Sequence, residues 1–342
     1  MKRNIASVVS GQKFECNDIS TKAPLLYEYF YLRTERCCSV TKLGSIYDDQ
    51  LIQESSYING YPKRLSESSI IEKEVIDKAK SNDKGLELEN AVVITSLHDK
   101  NYQHFLIETL SRIYVVLESF YLDCPIVLLD YPHIRETVDI TFPNNDFIFI
   151  GEKDVINVME QCYFPSFVSK NMCALSQATF ESLRLFIKNV ANNSDVQKCG
   201  KSHVYIGRKQ SVQNAGNGRF CINEEQLQLR IADYGYSTAS FDGLTLQEKS
   251  KLISNAQIVI SPVGANVMNL IFAQNAERII LFTHNKAFPN PNWFVKLLKA
   301  CCPKLKQVVL FDGIDIVDND KSVNVPYKVD VLELSILLNG GC

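Results

Sequence analysis

The segment Phe241–Ala273, FDGLTLQEKSKLISNAQIVISPVGANVMNLIFA, decides how the chain is read. Thr245 can cap a helix, and Glu248 three residues on can close a capping box. Leu246, Leu252 and Ile253 give that helix an apolar side. Gln257–Ile260 is a short apolar run rich in β-branched residues, as expected of a strand buried on both faces. It runs into Ser261-Pro262-Val263-Gly264-Ala265-Asn266, where Gly264 lets the backbone turn and approach a ligand closely. A second helix is predicted from about Asn266, so its free N–H groups and positive end face the turn. Helix, strand, glycine turn and helix make a unit of an α/β domain with an anion site in outline. The same pattern also fits a plain strand-to-helix loop, and the segment alone leaves both readings open.

The chain around this segment has 342 residues, 46% of them hydrophobic and 22% charged, with a net charge of −3. That length suggests two domains. The charge gives no global basic field, so no nucleic-acid partner is expected. No apolar run approaches the roughly 20 residues of a membrane-spanning helix. The start, MKRNIASVVSGQKFEC, is a poor secretory signal, so a cytoplasmic location is expected. The eleven cysteines are scattered, with no CxxC and no zinc-type Cys/His spacing, as befits reduced thiols rather than a metal site.

Upstream, Ala91–Thr95 reads as a buried strand and 102 onward as a helix of about 20 residues. Pro125–Leu129, Phe147–Ile150 and Val155–Phe164 are further strands, and Ser176 caps a helix reaching about Asn192. The polar stretch Asn192–Lys201 is a candidate linker. A second series follows: a strand at His203–Ile206, a glycine-bearing loop at Gln210–Arg219, and a helix capped by Asn223 with Gln226 in the capping-box position and ended by Gly235. Downstream, Arg278–Phe282 and Gln307–Phe311 read as strands and Asn292–Cys301 as a helix. Val329–Leu338 is apolar at helical spacing and could return to the first domain. Strands alternating with helices predict an α/β fold with parallel sheets. The first 90 residues are less legible: Leu25–Leu32 is strand-like, Ile58–Lys63 turn-rich, and Ser66–Ser81 fits a short helix. Asp48-Asp49 and Asp318-Asn319-Asp320 sit in polar, turn-like settings and read as solvated acids, although the latter has the DxD spacing of metal-dependent sugar transferases.

Two constellations carry chemistry. His104, Glu108 and Arg112 recur at four-residue steps on an otherwise apolar helix, so they share one face. At the start of a helix that follows a strand, they stand where α/β sheets gather ligands. An imidazole or carboxylate there can take a proton; an internally satisfied Glu–Arg pair with a bonded His is the other reading. The second is Tyr205-Ile206-Gly207-Arg208-Lys209. Two cations follow a strand end, and Arg219 lies close in sequence, a set suited to phosphate oxygens. No GxxxxGK[ST] loop, GxGxxG turn, GxSxG elbow or HExxH helix occurs.

Three ordered blocks within about 90–283 resemble glycosyltransferase family 61. They are Asn101-Tyr102-x-His104-Phe105-Leu106-x-Glu108-x-Leu110-x-Arg112; then Tyr205-Ile206-x-Arg208-Lys209 with Arg219 and Asn223-Glu224; and last Phe241–Asn269, with Gly264, Ala265 and Asn269. The resemblance, to members of the bacterial capsular-polysaccharide kind, implies a GT-B architecture of two Rossmann-like domains facing a central cleft. It implies inverting transfer from a nucleotide sugar, usually UDP-linked, to a glycan or polysaccharide hydroxyl, with no obligatory metal or other cofactor. A domain over 1–192, joined by 328–342, would present the acceptor and the base, Glu108 or His104, with Asn101 and Arg112 lining the cleft. A domain over 202–327 would hold the donor through Arg208, Lys209, Arg219, Asn223, Glu224, Gly264, Ala265 and Asn266. A lipid-linked acceptor and peripheral contact with the inner face of a membrane are left open. One departure stands out: Val263 occupies the place where many members carry His. It motivates the alternative of a non-catalytic protein that binds a nucleotide sugar or glycan.

Overall fold

The computed structural model of the chain describes residues 7–18, 24–34, 38–41, 44–47, 50–52, 85–96, 98–119, 124–151, 154–169, 174–193, 202–207, 221–283, 292–315 and 326–339. Ile58–Lys63, the helix expected at 66–81, Asp48-Asp49, Asp318–Asp320 and most of the expected linker lie outside them. The fold is mixed α/β, and the chain divides into two compact units, Met1–Phe186 and Ile187–Cys342.

The first unit is built on a ten-stranded sheet. Its strands are β1 (Ser7–Asp18), β2 (Pro24–Thr34), β3 (Cys38–Thr41), β4 (Gly44–Tyr47), β5 (Gln50–Ile52), β6 (Leu86–Val93), β7 (Ile126–Leu129), β8 (Phe147–Ile150), β9 (Val155–Pro165) and β10 (Ala174–Ser176). Helix α1 (102–119) follows β6, α2 (Pro132–Thr141) follows β7, and α3 (Gln177–Asn192) follows β10. Strand β9 is the pivot. Along one edge it meets β3 near its start and β2 near its end, both antiparallel. Along the other it runs parallel to β6, which continues in parallel to β7 and β8. The wholly parallel sheet expected here is therefore confined to the quartet β9-β6-β7-β8. The rest is antiparallel; where consecutive strands pair there, as β1 with β2, β3 with β4 and β4 with β5, the connections at 19–23, 42–43 and 48–49 are too short for the crossover that parallel pairing needs. As expected, Ser176 caps α3, its hydroxyl accepting the Thr179 N–H at 3.2 Å.

The second unit holds a five-stranded sheet, parallel throughout, in the order β12-β11-β13-β14-β15. Its strands are β11 (His203–Ile206), β12 (Ser237–Ala239), β13 (Ile258–Pro262), β14 (Arg278–Thr283) and β15 (Gln307–Asp312). Helices α4 (Glu224–Ala232), α5 (Leu246–Ile253) and α6 (Asn292–Cys301) connect them. The short pair β16 (Ile314–Asp315) and β17 (Tyr327–Lys328) and helix α7 (Val331–Asn339) end the chain. Both halves of the Thr245/Glu248 capping box form, and β13 is buried from Val259 to Pro262. Gly235, at φ 77°, takes the turn after α4 that only glycine adopts without strain.

Two expectations for this unit are corrected. Asn223 makes no side-chain cap bond at α4. Both ends of its amide engage Val329 instead: Nδ2 donates to the Val329 carbonyl at 2.8 Å, and Oδ1 accepts the Val329 N–H at 3.0 Å. The segment after Gly264 is a 3-10 helix, Ala265–Phe272, rather than an α-helix. Its first bond, Val267 N–H to the Gly264 carbonyl, has three-residue spacing, and the six residues Val267–Phe272 are all buried, so the segment lacks the solvent face of an amphipathic α-helix. Helix α7 packs on α4 within this unit. Leu334 joins a core with Tyr205, Leu227 and Ile231, and Leu337 and Leu338 pack against it.

Candidate functional sites

In the first unit the loops leaving β6, β7 and β9 converge at the carboxyl ends of the parallel quartet. Asn101 caps α1, its Oδ1 accepting the Gln103 N–H at 3.0 Å. After one α-helical turn, Tyr102–His104, the helix widens into a π-helical turn over Phe105–Thr109 and then resumes as α-helix over Leu110–Ser119. The Leu110 N–H reaches back to the Phe105 carbonyl, a five-residue step. Such turns are rare and are frequent at functional sites. This one carries Glu108. The His104 Nδ1 lies 3.3 Å from the Glu108 Oε2, and their side chains are 24% and 11% exposed, respectively. The imidazole thus stands outward with the carboxylate behind it. The His98 ring stacks on His104, centroids 4.8 Å apart.

Arg112, read as a residue lining the site, is 1% exposed. Its Nε donates to the Glu108 backbone carbonyl at 3.2 Å, and its Nη2 to Thr95 O at 3.4 Å and Thr109 Oγ1 at 3.1 Å. The Phe167 ring covers its guanidinium at 4.3 Å. Arg112 therefore supports the π turn from beneath.

Asp99 escaped the sequence reading. It is fully buried. Its Oδ2 accepts the Ser96 N–H at 2.8 Å, and its Oδ1 the Thr109 hydroxyl at 2.6 Å. Burial pushes this carboxyl up from 3.8 to about 7, against the pull of Arg112 and of the Thr109 and Ser96 hydrogen bonds. The effect on stability has a definite sign. Between about pH 4 and 7 the folded chain binds a proton at Asp99 that the unfolded chain has lost. This group's contribution to stability therefore falls as pH rises through that window and is constant above it. Asp99→Asn is expected to remove that slope, read as the difference in urea midpoint between wild type and variant across pH 4–8. Parallel curves would show that Asp99 does not titrate there.

In the second unit the site lies at the carboxyl edge of the parallel sheet. The chain goes from β11 to β12 on one side and from β13 through β14 to β15 on the other. The order thus reverses between β11 and β13, and such a switch point opens a crevice for ligands. Gly207 ends β11 and the Gly264 turn ends β13, with Tyr205 paired to Ile260 between the two strands. Gly264, at φ 157° and ψ −170°, occupies a region nearly reserved to glycine. Ala265 and Asn266, half-buried, follow it. The Glu224 carboxylate stands on the same edge: its Oε1 accepts the Tyr205 hydroxyl at 2.9 Å. A Cβ on Gly207 would lie 2.6 Å from that oxygen, so glycine is what admits the carboxylate. Asn269 is buried, and its Oδ1 has no hydrogen-bond partner among the described residues.

The structure thus brings His104 and Glu108 into contact and sets Gly207, Glu224 and the Gly264–Asn266 turn along one sheet edge. The Asn223 amide is engaged with Val329. Arg208, Lys209 and Arg219 lie outside the described residues. Val263 is buried, and its N–H donates to the Phe282 carbonyl at 2.9 Å. Among the described residues no group of His, Cys, Asp and Glu is arranged to hold a metal ion, and no helix is long and apolar enough to cross a membrane. Compared with known families, residues 102–280, just over half the chain, match the family model described as Glycosyltransferase 61. No curated protein matches.

Proposed function

This chain belongs to the glycosyltransferase 61 family, and from that premise we propose that it transfers a sugar, with inversion, from a UDP-linked donor to a hydroxyl of a glycan or polysaccharide. The observation that carries the proposal is the switch point of the second unit, where the glycine-bearing ends of β11 and β13 lie side by side. Backbone N–H groups of the Gly264 turn and the cations that follow Gly207 in sequence, Arg208 and Lys209, suit the two phosphates of a nucleotide sugar. Arg219 adds a third positive charge, and Glu224 offers a carboxylate to donor hydroxyls. This is a GT-B division of labour, with the donor on the second unit and the acceptor and base on the first.

The chemistry needs two things. A base must take the proton of the acceptor hydroxyl as its oxygen attacks the anomeric carbon, and positive groups must hold the diphosphate as the anomeric C–O bond breaks. His104 with Glu108 supplies the first. With the proton on Nδ1 directed at Glu108, Nε2 is left to accept the acceptor's proton, and the carboxylate stabilises the imidazolium that results. The cations of the β11 loop supply the second, so no metal or other cofactor is required by this scheme. A cytoplasmic enzyme extending a capsule-type polysaccharide is the setting proposed for this activity.

The proposal is tested on a panel of nucleotide sugars followed by calorimetry with UDP. Arg208→Ala is expected to raise the Kd for UDP about ten- to hundredfold, as the loss of a charge-assisted phosphate contact does. An unaltered Kd would remove Arg208 from the site. Val263 favours a second reading, donor binding without transfer. UDP binding with no turnover on any acceptor would establish it.

A further inference from the structure

We propose that Asp99 is a positioning residue for the His104–Glu108 pair, its carboxylate tying the loop after β6 to the π turn that carries Glu108. The inference rests on the reading of that pair as the base. Asp99 lies in the loop between β6 and α1 and is fully buried, yet it bonds outward in two directions. One oxygen takes the N–H of Ser96, in the loop just beyond β6, and the other takes the hydroxyl of Thr109, the last residue of the π turn. Thr109 in turn accepts from Arg112, whose Nε holds the backbone carbonyl of Glu108. From α2, His133 Nε2 contacts the Asp99 carbonyl oxygen at 2.8 Å. The charged and titratable groups around Asp99 are therefore Arg112 and Glu108 on α1, His133 on α2, and His98 in its own loop, which stacks on His104.

A π turn is a costly local choice that persists where its surroundings over-determine it. Here the surroundings are these bonds. A carboxylate accepts both donors at once. An asparagine accepts with one end only, so either the Ser96 N–H or the Thr109 hydroxyl loses its acceptor. The predicted result is a small displacement of the π turn and with it of Glu108. Misplacements of about 1 Å at a reacting group cost roughly a hundredfold in rate.

The test compares full-length wild type, Asp99→Asn, Thr109→Val and Thr109→Ser. The expected result is a kcat lowered about ten- to hundredfold in Asp99→Asn and Thr109→Val with donor KM unchanged, and restored by Thr109→Ser, which keeps the hydroxyl. The second readout needs no turnover. The His104 ring resonances and hydrogen exchange of the Phe105–Thr109 amides should change in Asp99→Asn and Thr109→Val and return in Thr109→Ser. If the wild type transfers no sugar but these spectra still shift, the positioning stands and the reading of the activity falls. If Asp99→Asn fails to fold, Thr109→Val decides. Spectra and kcat of Thr109→Val equal to wild type would overturn the proposal.

Discussion

Replacing Glu108 by Gln, or His104 by Ala, is expected to lower transfer about 10²–10⁴-fold while leaving UDP affinity within a factor of two, the range typical of losing a positioned base. The cause differs between the two. His104→Ala removes the ring that takes the proton. Glu108→Gln keeps the shape but removes the negative charge lying 3.3 Å from Nδ1, so the imidazolium formed during transfer loses its stabilising partner. Because the two groups act as a unit, the double variant should be little worse than the worse single one. Single-turnover kinetics with saturating donor is the measurement that separates chemistry from binding. Unchanged turnover in Glu108→Gln would dismiss the pair as the base, whatever the effect at His104.

Arg112→Met is expected to be the most destabilising single substitution around the site. Arg112 is 1% exposed, and its charge offsets that of Asp99, which has no exposure at all. Above about pH 7, where Asp99 is ionised, removing Arg112 leaves that buried charge uncompensated, at a cost of about 3–5 kcal/mol. It also strips a donor from the Glu108 carbonyl, the Thr95 carbonyl and the Thr109 hydroxyl. A unit of this size should melt about 10 °C lower. Since burial already pushes Asp99 towards its neutral form, adding Asp99→Asn to Arg112→Met should recover part of the loss. Thermal melts of the two variants check this; a double variant that melts below the single would show that Asp99 and Arg112 are not coupled.

The regular parts of the chain were legible because they bury a periodic pattern. The run Gln257–Ile260 and the capping box at Thr245 dictate strand and helix locally, and both form, the strand as Ile258–Pro262. The Leu25–Leu32 stretch announced β2, but nothing local announced how β2 and β3 attach to the rest of the sheet, because that depends on one edge of β9, far away in sequence. Strand β12 escaped notice because Ser237-Thr238-Ala239 is short and polar. Asn223 looked like a cap, since its residue type suits one, but tertiary contact with Val329 won its amide. At the site, the four-residue spacing placed His104 beside Glu108 correctly, while the π turn between them has no sequence signature. Asp99 was missed because an acid in a polar loop reads as solvated. Only the fold shows that Asp99 itself is buried and that the Thr109 hydroxyl and the Ser96 N–H point at it. The nearest signal available was its position, directly between a buried strand and a capped apolar helix.

The central claim is that a nucleotide diphosphate sits at the switch point of the second unit, ready to leave when the first unit's base acts. The most direct measurement is a crystal structure of the protein soaked with UDP. The account predicts diphosphate density between the end of β11 at Gly207 and the Gly264–Asn266 turn, with Arg208 on its oxygens. Diphosphate bound elsewhere, or crystals that take up no UDP at concentrations saturating for family donors, would contradict it.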